Sequence, residues 1–187
     1  MLTIGQSAPA FTLLDQDEKK LALAELKGQW VVLYFYPRDD TPGCTVEACD
    51  FTAGIRGFTK LDARVLGCSP DSPASHRKFI QKFKLALTLL SDPEHEAMSK
   101  YGAWGEKTMY GKKVIGVVRS TVIIDPAGKI AHHWAKVQTK GHAEKVREKL
   151  AELRGTGKVT AAKPATAKAM AAKTATKSKS ARSASKS

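Results

Sequence analysis

Apolar positions along the chain fall into short runs separated by amphipathic stretches, which is the pattern of strands alternating with helices. Residues 30–36, WVVLYFY, form an unbroken apolar run rich in β-branched and aromatic side chains, the mark of a central strand buried on both faces. Residues 64–68, 87–90 and 121–124 repeat that pattern at shorter length. Helix starts with good capping chemistry stand between them: Thr41 before Pro42, Ser72 before Pro73 and Asp92 before Pro93, each a polar cap followed by proline at the first helical position. Asp125-Pro126-Ala127-Gly128 has the proline and glycine placement of a turn, which predicts an antiparallel hairpin between residues 121–124 and 129–134. Ala143, Val146, Leu150 and Leu153 line one face of a closing helix, with Gly155 as its stop. The order predicts an α/β fold with one central sheet covered by helices. No repeat of 20 to 50 residues is present, which argues against solenoids and propellers. Residues 105–113 lack a phosphate-loop pattern and read as a mobile loop before Arg119.

Composition adds a second segment to this picture. Of the 187 residues, 31 are Lys or Arg and 18 are Asp or Glu, a net charge of +13. Residues 155–187 carry eight of the basic groups and no acidic one, and consist almost wholly of Ala, Lys, Thr and Ser. Such a segment has too little apolar surface to offset its ordering entropy, so it is expected to be a disordered basic tail behind a domain of residues 1–154. Two readings of the tail stay open: a solubilising extension, or a tether to DNA or another polyanion with the domain as carrier or local protector. No apolar run approaches a membrane span, and the first residues lack an export signal, so a cytoplasmic location is expected, with nucleoid association if the tail binds DNA. Three cysteines make no disulfide scaffold, and the five histidines show no zinc spacing. Cysteine chemistry here is therefore expected to be catalytic rather than structural.

The stretch from Tyr36 to Cys49, YPRDDTPGCTVEAC, sits where the strongest strand hands over to a well-capped helix. With Thr41 as cap and Pro42 as the first helical residue, Cys44 is the third, where unpaired N–H groups and the helix dipole favour an anion. That predicts a thiolate nucleophile at Cys44. Cys49 supplies a second thiol five residues on. On an intact helix that spacing separates the Cα atoms by about 8.6 Å, beyond the roughly 7 Å reach of a disulfide. If these thiols pair, the first turns of the helix have to unwind. The residues alone leave other roles open: Thr41 reads equally as a cap, Pro37 as a strand terminator, Arg119 as a solvated charge, and Glu47 as a helix-start acid. Arg38 is expected to face water, and Asp39 and Asp40 to diverge. Cys68, within an apolar run, reads as a small buried core residue, with an extra resolving or regulatory thiol as the alternative.

Pro37, Thr41 and Cys44 match the Pro-x-x-x-Thr-x-x-Cys signature of peroxiredoxins. The Cys-x-x-x-x-Cys continuation to Cys49 resembles the bacterioferritin comigratory protein, or peroxiredoxin Q, subfamily. The resemblance spans about residues 3–153 and includes Arg119, at the family's active-site arginine. It implies a thioredoxin-like three-layer fold, a mixed sheet flanked by helices, and a thiol peroxidase acting without metal or haem. By that resemblance Cys44 attacks the peroxide and Cys49 resolves the sulfenic acid. Arg119, Thr41 and the backbone at Gly43 hold the substrate, Pro37 shields the sulfur, and Glu47 is a further contact. Thioredoxin or a similar dithiol is the implied reductant, and a monomer the implied state.

Overall fold

The computed structural model describes residues 2–109 and 112–156. At its centre lies a seven-stranded mixed sheet of β1 (Thr12–Asp15), β2 (Lys20–Ala22), β3 (Trp30–Phe35), β4 (Ala63–Ser69), β5 (Thr88–Ser91), β8 (Ser120–Ile124) and β9 (Ile130–Trp134). The spatial order is β2-β1-β5-β4-β3-β8-β9. β3 runs parallel to β4 and β4 to β5, whereas β8 is antiparallel to β3 and β9 to β8. Parallel neighbours need long crossovers, and α1 (Pro42–Lys60) and α2 (Pro73–Phe83) supply them.

Strand β3 shows why the sheet is covered on both sides. Val31, Leu33 and Phe35 enter one core with Leu66, Cys68, Met98 and Tyr101, while Val32 and Tyr34 enter the other with Phe51, Phe58, Phe79 and Leu150. Alternation along a strand sends successive side chains to opposite faces, so an apolar run has to be buried twice. Helices α1, α2 and α4 (His142–Thr156) contribute to the second core. The short helix α3 (Glu96–Lys100) and a 3-10 turn over Leu23–Leu26 contribute to the first. This is the expected three-layer, thioredoxin-like arrangement.

The structure departs from the sequence reading at three elements. The loop expected over residues 105–113 is largely strand: β6 (Trp104–Met109) and β7 (Lys112–Val117) pair antiparallel as a sheet of their own. Asp92-Pro93 does not open a helix directly. The chain makes a turn with His95 N–H donating to the Asp92 carbonyl (3.1 Å), and α3 starts at Glu96. The Asp92 carboxylate still caps it, accepting from the N–H groups of Glu96 (3.0 Å) and Met98 (2.8 Å). Finally, α4 continues through Gly155 to Thr156, because a glycine with no packing demand is tolerated in a last turn. The tail reading from residue 157 onward lies outside the described residues. Among the described residues no helix is long and apolar enough to cross a membrane.

Candidate active site

β3 ends at Phe35 in the middle of the sheet, and the chain turns through Pro37–Thr41 into α1. Asp40 takes a left-handed backbone (φ 53°), a conformation that aspartate tolerates better than most residues. Thr41 is extended (φ −103°, ψ 151°) at the cap position and Pro42 begins the helix, as the sequence predicts. The Thr41 hydroxyl does not cap the helix, however. It donates to the Arg38 carbonyl (3.1 Å) and tightens the loop instead. Because the proline lacks an N–H, the free donors of the first turn are those of Gly43 and Cys44. Cys44 itself is buried, 2% exposed.

Arg119 approaches from across the sheet, from the linker between β7 and β8. Its Nη2 donates to Cys44 Sγ (3.2 Å) and its Nη1 pairs with Glu47, one helical turn after Cys44. Arg119 is therefore no solvated charge. Its carbonyl accepts from Val137 N–H (3.1 Å), which ties it to the segment after β9. Glu47 is fully buried, and burial pushes its carboxyl up to about 7 against the opposing pull of Arg119, with Asp50 adding to the rise. Burial also works against the Arg119 charge, but Glu47 and Cys44 outweigh it and hold the guanidinium above its ordinary value. Glu47 Oε1 has no hydrogen-bond partner.

The other candidates divide into those near this cluster and those apart from it. Gly43 lies against the guanidinium: a Cβ there would make ordinary contact, 3.6 Å, with Arg119 Nη2. Pro37 and Arg119 line an open cavity of about 450 Å³ together with Lys107, Val117, Lys136 and Val137. Cys49 is a free thiol, half-buried, further along the same unbroken helix as Cys44. Cys68 is fully buried on β4, where burial first and Asp92 second push its thiol well up. Arg38 is exposed.

Asp39 and Asp40 do diverge, but Asp39 has a place that sequence spacing does not reveal. Asp40 meets Lys82 at the surface (2.6 Å), whereas Asp39 is buried and accepts hydrogen bonds from Tyr36 Oη (2.7 Å) and Ser75 Oγ (2.8 Å). His76 Nδ1 lies 2.9 Å from the same carboxylate. A partner 37 residues away carries no local motif; only the cap of α2, Ser72 accepting from Ser75 N–H (3.3 Å), hinted at that neighbourhood.

Comparison with known proteins bears on this arrangement of cysteine, arginine and helix start. The AhpC/TSA family profile matches residues 4–133. Peroxiredoxin Bcp of Bacillus subtilis is 41% identical over 152 residues, 81% of this chain and 97% of that protein. Among solved structures, the bacterioferritin comigratory protein of Xanthomonas campestris, described for alkyl peroxide reduction, superposes with a TM-score of 0.73 at 37% identity, covering 83% of this chain and 97% of that one. A mutant of PrxQ from Xylella fastidiosa gives 0.76 at 36% identity, over 81% and 97%. With a thiol at the mouth of a helix, an arginine against it and these likenesses over about four-fifths of its length, the chain belongs to the AhpC/TSA family as a peroxiredoxin of the Bcp, or peroxiredoxin Q, type, a thiol-dependent peroxidase.

Proposed function

We propose that Cys44 is the sulfur that reduces hydrogen peroxide and organic hydroperoxides, and that Cys49 resolves it. The observation that carries this reading is the donation from Arg119 Nη2 to Cys44 Sγ at the first turn of α1 (3.2 Å). As its thiolate, Cys44 attacks one peroxide oxygen in line. The S–O bond forms, the O–O bond breaks, and the departing alkoxide or hydroxide takes a proton to leave as alcohol or water. Charge spreads along the S–O–O axis in that step, so donors already in place stabilise it most. Arg119 serves sulfur and peroxide, the N–H groups of Gly43 and Cys44 complete the cradle, and Glu47 fixes the guanidinium in plane. The Thr41 hydroxyl turns from the Arg38 carbonyl to the peroxide when substrate enters, and Pro37 keeps bulk water from the sulfur.

The Cys49 thiolate then attacks the sulfenic sulfur, forming S–S and expelling hydroxide, which is protonated to water. Helical geometry holds the two Cα atoms about 8.6 Å apart, so this step requires the start of α1 to unwind. A dithiol of the thioredoxin class reduces the disulfide and returns both thiols. Stoichiometric peroxide followed by peptide mapping tests the assignment. The wild type is expected to consume one equivalent and join Cys44 to Cys49. Cys44→Ser is expected to consume none. Cys49→Ser is expected to consume one equivalent and form no internal disulfide; a Cys44–Cys68 bond in the wild type overturns the resolving role of Cys49.

A second reading, compatible with the first, concerns residues 155–187. The B. subtilis relative is matched over 97% of its length by 152 residues of this chain, leaving a stretch about as long as the basic segment unmatched. With eight cations and no acid, that segment suits the phosphates of a polyanion such as DNA and would hold the enzyme near it.

A further inference from the structure

The loop that delivers Cys44 is held from outside the reacting cluster. The Asp39 carboxylate, on a residue 8% exposed, gathers the Tyr36 hydroxyl, the Ser75 hydroxyl and His76 Nδ1. The Asp39 N–H donates to Asp71 Oδ2 (2.8 Å), and Ser69 Oγ donates to the same oxygen (2.7 Å). Asp71 is fixed in turn by its carbonyl, which accepts from Ser91 Oγ (2.6 Å). Thus the chain after β3 and the first turn of α2 meet at Asp39, five positions before Cys44, and β4 and β5 brace it through Asp71. His76 is fully buried, and its Nε2 has no partner. A buried imidazole left half-satisfied carries a desolvation cost that packing alone does not require, since an aliphatic side chain would fill the same space without it. Burial, with the Asp39 carboxylate beside it, keeps the Tyr36 hydroxyl protonated and hence a donor.

We infer that Asp39 and His76 are positioning residues: they pin the loop of Pro37 to Thr41 so that the first turn of α1 stays wound, and thereby set how Cys44 divides its time between attacking peroxide and leaving the helix to meet Cys49. The inference rests on the roles proposed for those two cysteines. In the wound state the Cys44 sulfenic acid faces the peroxide site. A second peroxide can there transfer one oxygen to the sulfur, giving sulfinic acid and releasing alcohol or water. In the unwound state the same sulfenic acid meets Cys49 and is protected. Loosening the pin therefore slows the first step, which needs the wound geometry, and diverts the second away from over-oxidation.

The experiment compares full-length wild type with Asp39→Asn, His76→Ala, His76→Asn and Ser75→Ala. It reads two quantities: the rate at which the first equivalent of hydrogen peroxide is consumed, and the sulfinic fraction at Cys44 after excess peroxide, by mass spectrometry. Asp39→Asn and His76→Ala are expected to slow the first step roughly tenfold and to lower the sulfinic fraction below that of the wild type. His76→Asn keeps an N–H donor near the Nδ1 position and is expected to recover most of both. Ser75→Ala, which removes one half-buried hydroxyl, is expected to shift both quantities in the same direction by less, and it carries the test if the buried variants fail to fold. A rate or a sulfinic fraction unchanged from wild type in folded variants, even with a lowered melting temperature, overturns the inference and leaves the cluster merely structural. A wild type that consumes no peroxide overturns the proposed chemistry itself, and this inference with it.

Discussion

Arg119 meets two acidic partners with one planar group, and that division explains why lysine would not replace it. A guanidinium can donate to Cys44 from one nitrogen while holding Glu47 with another, whereas an ammonium is a single point charge. Arg119→Lys is expected to lower the rate of the peroxide step by about 10²-fold, the cost of losing one preorganised donor, with a much smaller change in melting temperature. Stopped-flow oxidation beside thermal unfolding checks this. Glu47 makes a different prediction. Its carboxyl titrates near 7 in the folded chain and near 4.5 when unfolded, so the folded state holds the proton more tightly between those values. Stability from this group is therefore full below about 4.5 and is lost as pH rises through about 7. Glu47→Gln cannot ionise there, and its unfolding free energy, measured by denaturant titration, is expected to fall less between pH 5 and pH 8 than that of the wild type.

The elements show the same economy of space. Gly67 on β4 pairs with Tyr34 on β3, and a Cβ there would fall 2.6 Å from the Tyr34 hydroxyl and 2.7 Å from a Leu89 methyl. Both neighbours are buried, and the Tyr34 ring is stacked on Phe51 of α1 (centroids 4.7 Å apart), so neither can retreat cheaply. Gly67→Ala is expected to cost about 1–3 kcal/mol by urea unfolding, the usual penalty of overpacking. The strands and helices that bury one face or two were legible from periodicity: residues 30–36, the Thr41-Pro42 start and the hairpin after Asp125 all lie where their patterns place them. β6 and β7 were not legible. They pair only with each other among the described strands, and Ile115 on β7 stands 74% exposed, so the apolar alternation that marks a half-buried strand is weak there. At the site, Cys44 and Arg119 could be named from a motif, whereas the Asp39–His76 contact could not, because it depends on how α2 docks beside β3 and leaves no trace in local spacing.

The charge of the whole chain divides unequally, with eight basic groups and no acidic one over residues 155–187. Every described element contributes to the domain, and the last of them, α4, closes with Val146 and Leu150 in the core. Deleting residues 157–187 is expected to leave the melting temperature and the peroxide rate unchanged, because every residue of the two described cores is kept. The same deletion is expected to abolish retention on duplex DNA. If all eight cations reach phosphates, log affinity of the full chain falls against log salt with a slope near about −7, and a slope near zero removes the tether reading. An effect on peroxide turnover, conversely, would place the extension in contact with the catalytic domain.

The three sulfurs are shielded very differently, and this bears on how copies of the protein meet. Cys44 and Cys68 sit behind packed side chains, at 2% and 0% exposure, and only Cys49 is open in part to water. While α1 is wound, a stray covalent cross-link between two molecules has a single sulfur from which to start. The thiol proposed to rescue its neighbour is thus also the one through which a crowded, oxidised population would become chained in pairs, and no longer chain can grow from one point of attachment.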